Sequence, residues 1–188
     1  MKKFFLLVTP GHPNFVWVAV LVIFLTGCGY TTHSLLPSHI KTIYIKPFEN
    51  NIDITGEVSD RHLYHSYRPL LEIDLTNEII DRFIYDGALK VVRHPDADII
   101  LAGEVIDYLR EPLRYSENDE VEEYRLSLVA NMKLRDLRSD ELLWEERRFI
   151  GDTTYFTRGS LSKSEDVALD DAIKDLARRI VERTVEGW

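Results

Sequence analysis

The feature that most constrains this chain is an apolar run close to its first residue. The run covers residues 15–25 and leads into Cys28, the only cysteine among the 188 residues. A transmembrane helix needs about 20 apolar residues, and Pro10 and Pro13 interrupt the sequence upstream of the run. The length and the flanking residues therefore argue against a membrane span and favour a segment that is removed from the mature chain.

Leu25-Thr26-Gly27-Cys28 resembles a bacterial lipobox. In proteins with this motif a peptidase cleaves before the cysteine, which becomes the acylated first residue of the mature chain. The alternative is a short transmembrane helix with an incidental cysteine. We predict a signal peptide over residues 1–27, acylation of Cys28 and a tether over residues 28–40. Acyl chains would hold the protein on a membrane at about 0.8 kcal/mol per buried CH₂ group.

The mature chain should be an acidic, folded domain. Loss of Lys2 and Lys3 with the signal peptide changes the net charge from −9 to −11, because residues 1–27 hold no acidic side chain. Such a charge disfavours nucleic acid as a partner. A hydrophobic content of 45% is that of a chain with a core. With Cys28 acylated, no thiol remains for a disulfide, a zinc cluster or a nucleophile.

Hydrophobic periodicity predicts the order β, α, β, β, β, β, α in one domain over residues 41–188. The strands are expected at 41–48, 89–93, 98–109, 124–137 and 142–150, and the helices at 70–86 and after a capping box at 162–165. Residues 49–69, 111–120 and 151–161 are predicted loops, and 89–109 could instead form one interrupted strand. Two amphipathic helices on one face of a mostly antiparallel sheet are the economical packing. In the first helix, Ile73, Ile80 and Ile84 are expected to widen the apolar face.

The strand at 124–137 alternates most cleanly, with apolar residues at even positions. Lys133 and Arg135 therefore lie side by side on its outward face, close to Arg138 in the following turn. Such a group could bind a lipid phosphate. An ordinary solvated strand face is the alternative, since outward charges are common on half-buried strands.

No catalytic or metal-binding motif stands out. His62 and His65 have metal-ligand spacing, but no third ligand is evident, and a loop surface fits them better. The chain has no phosphate-binding loop, nucleophile elbow or zinc-protease motif. We therefore expect a non-enzyme without a cofactor, and keep a hydrolase with an unrecognised site as a less favoured hypothesis.

Three stretches together resemble the LptE family of lipopolysaccharide-assembly lipoproteins. They are residues 25–30 around the lipobox cysteine, the first strand at 40–50, and residues 177–182 of the last helix. The resemblance covers the whole mature chain. It implies two helices on a four-stranded sheet, so we expect an α+β fold with a mostly antiparallel sheet of about four strands.

The resemblance also implies a function. Members of the family are outer-membrane lipoproteins that face the periplasm, plug the β-barrel protein LptD, help it to fold and assist insertion of lipopolysaccharide into the outer leaflet. LptD, lipopolysaccharide and the membrane around the acyl chains of Cys28 are the expected partners. Lys133, Arg135 and Arg138 are then candidate lipopolysaccharide contacts. The alternative is a periplasm-facing lipoprotein that binds and activates a cell-envelope enzyme.

Overall fold

The computed structural model describes residues 37–52 and 68–187. The predictions for Cys28, for the tether before residue 37 and for His62 and His65 lie outside these ranges. Within them the chain forms six strands, two α-helices and one 3₁₀ helix. They are β1 Thr42–Ile45, β2 Glu49–Asn50, α1 Leu71–Asp86, β3 Lys90–Val91, the 3₁₀ helix His94–Asp96, β4 Ile99–Tyr115, β5 Val121–Asp136, β6 Leu142–Phe156 and α2 Glu165–Glu186.

The strands form one mixed sheet in the order β3-β1-β4-β5-β6, with β2 paired to β4. The three long strands β4, β5 and β6 are antiparallel neighbours, whereas β1 runs parallel to both β3 and β4, and β2 runs parallel to β4. The α+β class and the two helices are confirmed. The sheet has six strands rather than the expected four or so, and it is mixed: the long strands pair in antiparallel fashion as expected, whereas the short strands pair in parallel. Parallel pairing arises because α1 returns the chain to the end at which β1 began, as in a β-α-β unit.

The two helices pack on one face of this sheet. The buried core is one cluster that joins both helices to alternate residues of β5, from Leu126 to Leu134. In α1 the apolar stripe of residues that recur every four positions is buried, namely Leu71, Leu75, Ile79 and Phe83. Gly87 ends the helix at a positive φ of 77°. Of the residues expected to widen the apolar face of α1, Ile80 packs against the core, whereas Ile73 and Ile84 are 47% and 64% exposed.

A β-bulge in β4 reverses which residues face the core. Val105 pairs with Ala130 and Asp107 pairs with Val129, so Ile106 is the extra residue. Leu101 and Val105 point to the core before the bulge, and Tyr108 does so after it, at 3% exposure. Strict alternation along β4 would place Tyr108 on the face opposite Leu101, and the inserted residue is the reason that it does not.

A second bulge explains the irregular pattern of β6. Ala130 pairs with Phe149 and Met132 with Glu146, and Arg148 has a positive φ of 52°. The bulge places Trp144 on the core face on one side of it and Tyr155 on the other. The backbone N–H of Arg148 donates to the side-chain oxygen of Asn131 at 3.0 Å, which holds the bulge in place.

The long strands extend further than their sequences indicate. β4 continues to Tyr115, β5 starts at Val121, and β6 runs through Gly151 to Phe156. The loops expected at 111–120 and 151–161 therefore shrink to residues 116–120 and 157–164. Cross-strand pairing outweighs the local propensities of Pro112 and of the threonines at 153 and 154.

The start of α2 also differs from its prediction. Ser164, not Ser162, is the cap, and its hydroxyl accepts from the N–H of Val167 at 3.3 Å. Glu165 does not close a capping box but reaches the sheet, where it accepts from the Tyr108 hydroxyl at 2.7 Å and pairs with Arg110. This ion pair fixes the first turn of α2 against β4.

Among the described residues, no helix is long and apolar enough to cross a membrane.

Candidate functional site

The sheet face opposite the helices carries the candidate site, a polar pocket of about 410 Å³. We call it the sheet pocket. Its floor lies where β4, β5 and β6 are paired, since Lys133 of β5 stands between Ala102 of β4 and Glu145 of β6. Three basic and three acidic side chains surround it: Lys46, Lys133, Arg147, Glu49, Glu104 and Glu145.

Most of these charges are already paired within the pocket. The Lys46 ammonium lies 2.9 Å from the Glu49 carboxylate, and the Nε of Arg147 lies 3.1 Å from the Glu145 carboxylate. Both pairs are well exposed and exchange readily with water and ions. They could therefore open when a competing anion enters the pocket.

Glu104 is held as an anion at the centre of the pocket. Its carboxylate accepts from the side-chain amides of Asn131 at 2.9 Å and Asn51 at 2.5 Å. These two hydrogen bonds, aided by the charge of Lys133, lower the pKa of Glu104 against the opposing effect of burial. Glu104 thus organises the polar floor and is no general acid at neutral pH.

Lys133 is the available cation of the sheet pocket. Its ammonium makes no hydrogen bond and no ion pair within 4 Å among the residues that the structure describes, and its interaction with Glu104 is through charge alone. A phosphate placed over the pocket would meet Lys133 directly. Lys46 and Arg147 would reach it by releasing their exposed partners.

The structure does not bring the three predicted contact residues into one site. Arg135 binds Asp140 across the β5–β6 turn, with its Nη1 3.1 Å from the carboxylate and 2.9 Å from the carbonyl oxygen. Arg138 binds Asp98 at 2.6 Å. Only Lys133 lies in the sheet pocket. Lys46 and Arg147, which sequence reasoning did not connect with it, are the cations beside it.

Asp98 occupies a separate network at the end of the sheet where β1 begins. One carboxylate oxygen accepts from the backbone N–H groups of Lys41 and Thr42 at 2.9 and 3.0 Å and from the Thr42 hydroxyl at 2.8 Å, while the other accepts from Arg138. Burial alone would raise the pKa of Asp98, but these hydrogen bonds outweigh it and hold the pKa at about 2.

Asp136 joins the same end of the sheet to the residues before β1. It accepts from the His39 imidazole at 3.0 Å and from the backbone N–H of Arg138 at 2.7 Å. The hydrogen bond from His39, and then those from the backbone of Arg138 and Ser139, lower the pKa of Asp136 although burial opposes them. Asp98 and Asp136 thus hold the start of β1, and His39 before it, against the sheet.

Charged and amide side chains dominate the lining of the sheet pocket. Among the described residues that line the sheet pocket there is no histidine, serine or threonine, and so no nucleophile with an adjacent base. No group of three His, Asp or Glu side chains within 37–52 and 68–187 could hold a metal ion. The sheet pocket is a charged surface in which the Lys133 ammonium has no ion-pair partner among the described residues.

The fold can be compared with solved structures. Protein XCC0632 from Xanthomonas campestris superposes with a TM-score of 0.51 at 15% identity, over 81% of this chain and 88% of that one. The hypothetical protein CT253 from Chlamydia trachomatis gives a TM-score of 0.48 at 16% identity, over 77% and 95% of the two chains. Rare lipoprotein B from Shewanella oneidensis gives 0.39 at 13%, over 74% and 89%. At these identities the likeness to XCC0632 concerns the fold alone.

The class is thus an α+β domain in which two helices cover one face of a mixed sheet, while none of the described elements covers the other face. A family model for lipopolysaccharide assembly, LptE, matches residues 40–184. The chain belongs to this family, which confirms the resemblance seen in its sequence. A search among curated proteins found no match.

Proposed function

We propose that this chain is an outer-membrane lipoprotein, acylated at Cys28 and facing the periplasm, that binds the β-barrel protein LptD and assists insertion of lipopolysaccharide into the outer leaflet. The observation that carries the proposal is the family match over residues 40–184, which spans nearly the whole folded domain. In this role the protein is a binding partner and not an enzyme. The polar open face of the sheet suits the polar interior of a large barrel.

The distribution of charge favours the sheet face over the helices for contact with lipopolysaccharide. α1 carries five acidic residues and one arginine, and α2 carries seven acidic and four basic residues. A phosphorylated glycolipid would be repelled by this layer. The sheet pocket balances three cations against three anions and leaves Lys133 uncommitted, so it is the favoured place for a phosphate.

The partner is tested by affinity purification of the tagged, lipidated protein from detergent-solubilised outer membranes, followed by mass spectrometry. We expect a large β-barrel protein at one-to-one stoichiometry. Membranes from cells that express the untagged protein provide the control. Recovery of a periplasmic enzyme without a barrel would contradict the LptD proposal and favour an enzyme activator.

Substitution of Cys28 by alanine is expected to abolish membrane attachment. Without the thiol there is no site for the acyl chains, and the net charge of the mature chain gives no attraction to an anionic membrane. Mass spectrometry of the purified chain and membrane fractionation check this result, with Thr31→Ala as the control. A Cys28→Ala protein that is still acylated and membrane-bound would contradict the anchor.

Charge reversal in the sheet pocket is expected to weaken lipopolysaccharide binding. Lys133→Glu combined with Arg135→Glu should raise the Kd about tenfold, because one charge-assisted contact is replaced by repulsion. Since Asp140 already holds Arg135, Lys133→Glu alone should account for most of the loss. Titration with fluorescent lipopolysaccharide measures the effect, and circular dichroism confirms that each variant is folded.

Arg125→Glu is the matched control for the pocket. Arg125 is exposed on β5 and lies an even number of residues from Lys133, but it pairs with Glu111 and Thr154, outside the sheet pocket. The Arg125→Glu substitution makes the same change in net charge as Lys133→Glu. Equal losses for Arg125→Glu and Lys133→Glu would show that net charge alone governs binding. An unchanged Kd for Lys133→Glu would show that Lys133 does not bind lipopolysaccharide and belongs to an ordinary solvated strand face.

A further inference from the structure

One end of the domain receives the chain from the N-terminal segment. Pro37 begins the described residues there, and its carbonyl accepts from the N–H of Ile40 at 2.9 Å. His39 is fixed to Asp136 at the last residue of β5. The starts of β1 and β3 and the last turn of α1 lie at this same end, because Gly87 ends α1 and β3 begins three residues later. We call it the basal end.

Apolar and aromatic side chains are exposed at the basal end. Ile84 and Tyr85, in the last turn of α1, are 64% and 81% exposed. The Arg82 guanidinium lies over the Tyr85 ring, 5.3 Å from its centroid. Tyrosine beside an aliphatic residue and an arginine is a combination enriched where proteins meet the interfacial layer of a membrane. Burial within the domain does not explain these residues, since α1 directs Ile79 and Phe83 into the core.

Two lysines complete the surface. The backbone N–H of Lys90 donates to the carbonyl of Lys41 at 3.0 Å, so the two residues are neighbours at the starts of β3 and β1. Both are exposed, and neither ammonium makes an ion pair within the described part of the chain. Asp86 on α1 and Asp96, whose carbonyl accepts from the Thr42 hydroxyl, are acidic residues at the same end. We call Lys41, Ile84, Tyr85 and Lys90 the basal patch.

The predicted acylation site is close to this patch along the chain. Eight residues lie between Cys28 and Pro37, and the nine steps along a fully extended chain span about 30 Å. We infer that the basal patch rests on the lipid headgroups of the membrane that holds the acyl chains, with Ile84 and Tyr85 in the interfacial layer and Lys41 and Lys90 at the phosphates. This inference rests on the acylation of Cys28 in the proposed function.

Site-specific fluorescence quenching tests the inference on the lipidated protein. Because Cys28 is the only cysteine and is acylated, one introduced cysteine is a unique labelling site. Ala88→Cys places a fluorophore beside the basal patch, and Asn118→Cys places it in the β4–β5 turn. The protein is reconstituted in vesicles of phosphatidylethanolamine with phosphatidylglycerol as the minor lipid, and a headgroup-bound quencher is added. We expect several-fold stronger quenching at position 88 than at 118.

Ile84→Ser with Tyr85→Ser should reduce quenching at position 88 to the level at 118. Leu113→Ser with Tyr115→Ser removes comparably exposed side chains from β4, far from the basal end, and should leave quenching at 88 unchanged. Equal quenching at 88 and 118 in a protein that floats with the vesicles would overturn the basal patch alone. A protein that does not float would contradict the anchor at Cys28 and overturn this inference with it.

Discussion

Gly151→Ala is expected to lower the free energy of unfolding by about 3 kcal/mol. A Cβ atom at this position would lie 2.4 Å from the Cβ, 2.5 Å from the Cα and 2.5 Å from the backbone N of Leu176 in α2. Gly151 is therefore the point at which α2 lies directly on β6. The helix would have to move outward, and contacts of Leu169, Ile173 and Ile180 with the sheet would loosen. Urea denaturation monitored by circular dichroism measures the loss.

Two further variants test whether this clash is the cause of the expected destabilisation. Leu176→Ala keeps the N, Cα and Cβ atoms that the new methyl group would meet, so it should not rescue Gly151→Ala and should destabilise the domain further. Thr154→Ala, at an exposed position of the same strand, should change the stability by less than about 0.5 kcal/mol. Wild-type stability for Gly151→Ala would show that α2 does not approach β6 this closely.

The sequence is informative where local periodicity decides the structure. The stripe of Leu71, Leu75, Ile79 and Phe83 indicates α1 because a helix brings every third or fourth residue to one face, and Gly87 marks its end. The alternation of β5 is equally clear, because from Leu126 to Leu134 the inserted residues lie on its neighbours β4 and β6 and not on β5 itself. Both elements follow from residues that are close in sequence.

The sequence is less informative where distant residues determine the outcome. The bulges at Ile106 and Arg148 reverse the alternation of β4 and β6, and their positions depend on pairing with β5 rather than on local composition. The parallel pairing of β1 depends on how α1 crosses the sheet. Local sequence patterns therefore predict neither the two bulges nor the parallel pairing of β1.

The candidate site was predicted only in part, because some of its residues are distant from one another in sequence. Lys133 follows from the alternation of β5, so its outward direction was predictable. Its neighbours Lys46 and Arg147 come from strands that are distant in sequence. The sequence also places Arg135 and Arg138 close to Lys133, but Asp140 binds Arg135 and Asp98 binds Arg138. Spacing along a strand indicates which charges share a face, and only the fold indicates which of them are already paired.

Asp98→Ala is expected to lower the free energy of unfolding by about 3 kcal/mol, the cost of breaking a buried charged network. The substitution leaves the N–H groups of Lys41 and Thr42 without their acceptor and leaves Arg138 without its partner. Asp98→Asn keeps the size of the side chain and one oxygen acceptor, so it should cost less. Denaturation at neutral pH measures both variants, and equal stabilities of Asp98→Ala and wild type would contradict the role of the network.

The pH dependence of this difference tests whether the charge of Asp98 is responsible. The pKa of Asp98 is about 2 in the folded state and 3.8 in its ordinary environment, so the unfolded chain takes up its proton first as the pH falls. The ionised carboxylate therefore contributes about 2 kcal/mol of stability above pH ~4, and this contribution is lost as the pH falls from ~4 towards ~2. The stability of wild type minus that of Asp98→Asn should shrink over this window.

Subtracting the variant isolates Asp98 from the other carboxylates. Asp136, Glu104 and Asp175 also have lowered pKa values in the folded state, so the wild-type protein loses stability in acid for several reasons. These residues are unchanged in Asp98→Asn, and those outside the network of Asp98 contribute equally to both proteins. A difference that stays constant between pH 5 and pH 2.5, with folded protein at both limits, would mean that Asp98 stabilises the end of the sheet by its shape and not by its charge.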